Sequence, residues 1–475
     1  MYQTGDQIRF WAEIKPDELA FVDESHEVTF RELDMYTRRI AYFLEARGLV
    51  SGELVAISLP PYLSWFFTLS LYRLGNATLY LSENDGNAEL THPDWLVSLA
   101  PIKHIDASKT LVVTELLLET INASPGIISD PGFTSKDDLA WIFGTSGTTG
   151  TVKHIAVSAV ALEEMAIAPR PYYFLGDEPV MSLFQFGSWW ATAHALKLLV
   201  SGKCFFSCTF PDFNLPKIIS KHSVKTIFGS PQQVSSLLEI QRQTGTEFPA
   251  LKTVIIGGGY ISDKLLSQIR KQINCRIFNI YGSSECGNIG NEELMTSESK
   301  GFVINRGVEV QIVDEHNSIL ENGEEGIIRT RSKAMFHQYH QNPNATKKSF
   351  KDGFFYPGDL GLINEAGKLV LKGRVDEVMN LGGYKIDPNV IDSLISSQLG
   401  VLDCASFTVT DAFGIDQVFV AIVANTEFQR EQFEKTVVKK SLVPIKGVFQ
   451  VNSIPRNANG KVLRGKLKEI YDAQI

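Results

Sequence analysis

Between Phe143 and Lys153 the chain reads FGTSGTTGTVK, a run made of residue types that grip anions. Gly144, Gly147 and Gly150 let backbone amides approach a charged oxygen closely. Thr145, Ser146, Thr148, Thr149 and Thr151 supply hydroxyl donors, and Lys153 adds a positive charge. The apolar residues Leu139–Phe143 just before it read as a strand, the element from which a phosphate-gripping loop projects. The order differs from the P-loop, which ends in Gly-Lys followed by Ser or Thr.

Five more segments follow in a fixed order: GGGY at Gly257–Tyr260, YGSSE at Tyr281–Glu285, FYPGDLG at Phe355–Gly361, GRVDEV at Gly373–Val378 and PRNANGK at Pro455–Lys461. Singly they say little; six in succession are specific. Together they resemble the adenylate-forming superfamily, which holds acyl- and aryl-CoA ligases, adenylation domains of nonribosomal synthetases, and luciferases. The resemblance implies ATP and AMP binding by Thr145, Ser146, Gly147, Thr148, Thr149, Gly150, Lys153, Gly257, Gly258, Gly259, Tyr281, Gly282 and Ser283. It implies that Asp359 accepts both ribose hydroxyls with Arg374 assisting, and that Asp376 is the hinge of a rotating small domain. Ser284, Glu285 and Lys461 take the catalytic roles, with Glu285 as the magnesium ligand. Lys461 is expected to bridge the substrate carboxylate and the α-phosphate.

The residue types suit these tasks. Tyr281 offers an aromatic face for adenine. Magnesium takes oxygen ligands, commonly one or two carboxylates plus substrate phosphate. A carboxylate such as Asp359 accepts hydrogen bonds without donating, as a diol requires. A desolvated cation at Lys461 would act where charge develops as the carboxylate attacks.

Several positions depart from the family pattern. Val152 stands for a proline, His154 for a glycine, Ser284 for a threonine, Pro357 for a threonine, and Asn380 for a frequent lysine. In LFQFGSWW, Leu183–Trp190, no acid occupies the place where nonribosomal domains pair an α-amino group; Gln185 stands there. A buried ammonium without a counter-charge is costly, which disfavours an α-amino acid substrate. Phe184, Gln185 and Trp189 are the candidate acyl-pocket residues, for an aryl or aliphatic acid.

Short apolar runs alternating with amphipathic stretches must position these segments. Leu54–Leu59, Ala77–Leu81, Val224–Phe228, Thr253–Ile256 and Arg276–Ile280 read as strands, with helices at Tyr62–Leu74, after Ser230-Pro231, and from Ser262. Such β-α rhythm argues for parallel sheet covered by helices, whose ligands bind at the carboxyl ends of the strands. After Gly301 the pattern turns to antiparallel hairpins, and from Pro388 to a small α+β module. The expected fold is thus α/β: a large N-terminal domain, 1–373, of helix-covered sheets plus a β-rich subdomain, then a small mobile α+β C-terminal domain, 374–475.

Of the 475 residues, 44% are hydrophobic and 21% charged, a globular balance, and the net charge of -9 gives no general reason to bind nucleic acid. Five cysteines, odd in number and lacking zinc-site partners, read as buried reduced thiols. The N-terminus has no signal-peptide pattern and no apolar run spans a membrane, so a cytoplasmic enzyme is expected. The implied reaction joins a small-molecule carboxylic acid to AMP from ATP and Mg2+, then passes the acyl group to a thiol. That thiol is CoA or the phosphopantetheine of a separate acyl carrier protein, since the sequence stops soon after Lys461. The alternatives are transfer to an amine, as in an amide ligase, and a non-catalytic nucleotide-binding relative.

Overall fold

The computed structural model describes residues 4–81, 92–102, 107, 109–127, 129–145, 153–167, 179–208, 212, 214–295, 301–333, 335–377, 379–381, 384–410, 416–430, 433, 445–456 and 462–473. They fall in two compact units. One comprises Met1–Gly229, Glu239–Val254 and Phe336–Lys348; the other comprises Ser230–Leu238, Ile255–Met335 and Ser349–Ile475. Among the described residues no helix is long and apolar enough to cross a membrane.

In the first unit a six-stranded sheet runs in the order Lys109–Val112, Trp95–Ser98, Leu54–Ser58, Ala77–Tyr80, Leu139–Thr145, Lys153–Ser158. Every neighbouring pair is parallel except the last, which is a hairpin. The parallel strands Leu54–Ser58, Ala77–Tyr80 and Trp95–Ser98 are almost wholly buried, as their apolar runs require, while the edge strand Lys109–Val112 begins exposed. Pro61 at the first turn and Gly75 at φ 72° bound the helix between two of them, Pro61–Leu74. Helix Phe30–Ala46 starts on a reciprocal cap between Thr29 and Glu32. A second sheet in this unit sets Thr226–Gly229, Val180–Ser182, Phe205–Phe206 and Leu19–Val22 side by side in parallel, with Glu27–Thr29 antiparallel at the end.

In the second unit helix Asp263–Gln272 leads into the antiparallel hairpin Arg276–Ser283/Gly287–Glu293. An antiparallel sheet follows, in which Gly326–Ser332 pairs with Val308–Val313 and with Asp359–Ile363, and the latter with Leu369–Arg374. Tyr281, Cys286, Ile289, Phe302, Ile312, Ile328 and Leu369 form its core. Toward the C-terminus, Asp416–Ala424 lies between antiparallel Val401–Thr410 and parallel Ile445–Gln450. Its side chains alternate strictly. Val418, Val420 and Ile422 join Ile391 and Ile395 of helix Pro388–Ser396, while Phe419, Ala421 and Val423 join Leu467 and Tyr471 of helix Arg464–Asp472. A period of two thus gives one strand two buried faces.

Candidate active site

Strand Leu139–Thr145 and its partner Lys153–Ser158 bring Thr145 and Lys153 opposite each other at the loop end of their hairpin. Ser146, Gly147, Thr148, Thr149 and Gly150 lie outside the described residues. Thr145 is only 6% exposed, and its hydroxyl has no hydrogen-bond partner among the described residues. A buried hydroxyl left in that state costs about 1–3 kcal/mol, so it is suited to a ligand that brings an acceptor.

The ammonium of Lys153 lies over the ring of Tyr339, 4.8 Å from its centroid. Tyr339 arrives on the returning segment 336–348, where Phe336 packs on Phe143 and the His340 N–H donates to the His154 carbonyl at 2.7 Å. Nothing in residue type or spacing pointed to Tyr339, which lies far from Lys153 along the chain.

In the second unit Asp359 and Arg374 face each other across an antiparallel pair. The Tyr281 hydroxyl donates to one carboxylate oxygen of Asp359 at 2.6 Å, and an Arg374 guanidinium nitrogen donates to the other at 2.9 Å. Burial, then the Asp359 charge, pushes the Tyr281 phenol well above its ordinary range, so it remains a donor. Burial works against the Arg374 charge, but Asp359, Glu377 and Tyr281 outweigh it and raise the guanidinium above its usual value. Arg374 keeps one buried nitrogen, Nε, without a hydrogen-bond partner among the described residues. Tyr281 itself is 9% exposed and packs on Phe302, so its polar end, as well as its ring, enters the site.

Gly282 and Gly258 hold positions no other residue would fill without strain. A Cβ on Gly282 would stand 2.3 Å from the Gly287 carbonyl oxygen, and Gly258 has φ 81°. Gly257 ends the buried strand Thr253–Gly257, with Gly258 and Gly259 exposed beyond it. Ser283, Ser284 and Glu285 occupy the half-buried turn of the hairpin, where the Ser283 hydroxyl meets the buried Cys286 sulfur at 3.3 Å. Burial pushes the Cys286 thiol up to about 12, so it stays protonated. Among the described residues no group of three or more His, Cys, Asp or Glu could hold a metal ion. A magnesium ion carried by nucleotide phosphates needs little more than one carboxylate, which Glu285 can provide.

Lys461 lies outside the described residues, but both flanks of its loop are fixed. Arg456 bridges to Val462 and donates to Asp403 at 2.7 Å. Arg464 donates to Asp392 at 2.7 Å and stands 3.9 Å from Glu377, beside the exposed Asp376. Helix Pro388–Ser396 is moored to the segment after the glycines: the Lys264 ammonium donates to the carbonyls of Ser396 and Val401 at 3.1 and 3.2 Å, and Tyr260 hydrogen-bonds Ser393.

The candidate acyl-pocket residues divide. Phe184 packs on Phe228 and Trp189 on Trp190, both buried, whereas Gln185 is exposed in the turn before helix Trp189–Val200. All five cysteines are free thiols; Cys208, Cys286 and Cys404 are buried and Cys204 and Cys275 half-buried.

Known proteins resemble the chain along nearly its whole length. The chain is 26% identical over 509 aligned residues to a 4-chlorobenzoate–CoA ligase of Arthrobacter, covering 99% of this chain and 96% of the relative. The anthranilate CoA ligase AuaEII, solved with anthranoyl-AMP, superposes with a TM-score of 0.86 at 17% identity, covering 100% of this chain and 98% of that one. The O-succinylbenzoate coenzyme A synthetase of Bacillus subtilis, solved with AMP, gives a TM-score of 0.83 at 21% identity, covering 97% and 98% respectively. The model of one family, described as AMP-binding enzyme, matches residues 8–340, from the first helix past the hairpin of Thr145 and Lys153 to the segment of Tyr339. The chain therefore belongs to the AMP-binding enzyme family.

Proposed function

We propose that the protein is an acid–thiol ligase working through an acyl-adenylate. In the first half-reaction a carboxylate oxygen of the acid attacks the α-phosphorus of MgATP. The bond to the bridging oxygen breaks, and pyrophosphate leaves with its electron pair. In the second, a thiol sulfur gives up its proton and attacks the acyl carbonyl carbon; a thioester forms and AMP departs.

The observation that carries this reading is the Asp359 carboxylate held between Tyr281 and Arg374. Donors from Tyr281 and Arg374 fix its orientation, and a carboxylate, which accepts without donating, is the group a ribose diol requires. The hairpin mouth of Thr145 and Lys153 supplies a hydroxyl and a cation suited to polyphosphate, and Glu285 a magnesium carboxylate. Lys461 takes the transition-state role, on the strength of the PRNANGK resemblance. The module from residue 374 onward would carry that lysine in by rotating about Asp376, excluding water from a labile mixed anhydride. The relatives named above as CoA ligases favour CoA as the thiol; the arm of a separate carrier protein is the other acceptor of the same chemistry.

The test is a pyrophosphate-exchange screen with aryl, short-chain and long-chain acids and amino acids, followed by product analysis with CoA, carrier protein and amines. Exchange with a non-amino acid and a thioester product with CoA are expected. Well-folded protein that exchanges with no acid would overturn the adenylation reading; amide in place of thioester would overturn the second half-reaction.

A further inference from the structure

We infer that Tyr339 is a positioning residue for Lys153: its ring holds the ammonium at the hairpin mouth without neutralising it, leaving the charge available to nucleotide polyphosphate. The inference rests on the ATP-binding role proposed above. A cation within about 6 Å of a ring centroid is attracted by the negative face of the π-system, and Lys153 stands at 4.8 Å. No carboxylate among the described residues pairs with it. The distinction matters chemically. A carboxylate partner would cancel the charge and compete with an incoming phosphate, whereas a ring orients the ammonium and yields it to a stronger partner.

The ring is itself held. Tyr339 is buried, its backbone N–H donates to the Thr346 hydroxyl at 2.9 Å, and that hydroxyl donates to the Asn342 carbonyl at 2.8 Å. The Asn342 side chain caps the Ala345 N–H at 3.0 Å. The next residue, His340, is tied to the backbone of His154, the immediate neighbour of Lys153. Segment 336–348 is thus fastened to the strand that carries the lysine and presents an aromatic face to the ammonium. A lysine stem has four rotatable bonds, and ordering it in advance lowers the entropy that ATP binding must overcome.

The experiment combines MgATP affinity by calorimetry, which needs no acid substrate, with steady-state pyrophosphate release. Tyr339→Leu should raise the Kd and KM for MgATP about fivefold, roughly 1 kcal/mol at 1.4 kcal/mol per tenfold, with kcat little changed. Tyr339→Phe should restore both, because the ring face survives. In a Lys153→Met background Tyr339→Leu should add nothing further. Fluorinated phenylalanines at 339 keep the shape while draining the ring face, so Kd should climb with each fluorine; this series also serves if Tyr339→Leu does not fold. Equal losses with and without Lys153, or a flat fluorine series, would overturn the inference. A failed pyrophosphate screen with an intact calorimetric pattern would overturn the ligase reading alone.

Discussion

Arg73 and Arg374 each meet an aspartate below the surface, one in each compact unit, and the two groups are completed differently. Arg73 is fully buried and spends its guanidinium on three partners: Thr37 at 3.1 Å, Asp130 at 2.6 Å, and Asp34. Arg9 reaches Asp130 from the first helix and Arg38 stands 3.8 Å from Asp34, so three arginines surround two aspartates. Arg374 is part-exposed, pairs with Asp359, and keeps Nε without a partner among the described residues. The first group holds helices together; the second, beside a part-open surface, is the one proposed above to take the ribose. On that reading the same residue types serve structure in one place and binding in the other.

The comparison can be broken by substitution. Arg73→Met takes the buried guanidinium from Asp34 and Asp130, leaving each with one more peripheral arginine, and should cost about 3 kcal/mol of stability, read from denaturant midpoints, with little change in ATP affinity of the folded fraction. Lys461→Ala should remove roughly 3 kcal/mol of transition-state stabilisation, more than a hundredfold in adenylation rate, while calorimetric ATP binding persists. Asp359→Asn preserves shape but loses a charged acceptor; a rise in KM for ATP of about ten- to thirtyfold, roughly 1.5–2 kcal/mol, is expected, with a far smaller stability loss than Arg73→Met. Were Asp359→Asn to unfold the protein without affecting nucleotide binding, the distinction between the two groups would collapse. Tyr281→Phe removes one hydrogen bond and should weaken ATP by roughly 1 kcal/mol, about fivefold.

The smallest effect concerns pH. Burial lowers the His340 imidazole below its ordinary range, so the folded state binds fewer protons there than the unfolded state. Its contribution to stability is complete above about pH 6.5 and is lost as pH falls through the lowered folded value. His340→Gln should flatten that limb of a stability-against-pH curve.

Much of this was legible from the chain. The strands at Leu54, Ala77, Thr253 and Arg276 and the helix capped by Ser262 declared themselves through apolar runs and capping residues, since local chemistry decides them. Asp359 and Arg374 could be named together because each sits in its own motif. What escaped was side-chain partnership across long loops. An aromatic residue suggested a stacking platform at Tyr281, yet its hydroxyl bond to Asp359 depends on a sheet register that no local pattern encodes. Tyr339 gave no signal because an aromatic in a loop has many possible neighbours, and only the fold selects Lys153. The mooring of helix Pro388–Ser396 by Lys264 was hidden for the same reason. The aromatic stretch around Gln185 was readable as apolar, but which rings face inward was not.

The tight neck where Gly282 passes Gly287 has a practical corollary for anyone wishing to redesign this chain. Ser283–Glu285 hang from a hairpin whose width is set by two glycines, so a library can vary the tip while its frame stays put. Randomising the glycines themselves, or the core residue Cys286, would yield mostly broken scaffolds, and the informative diversity lies in the three half-buried residues at the tip.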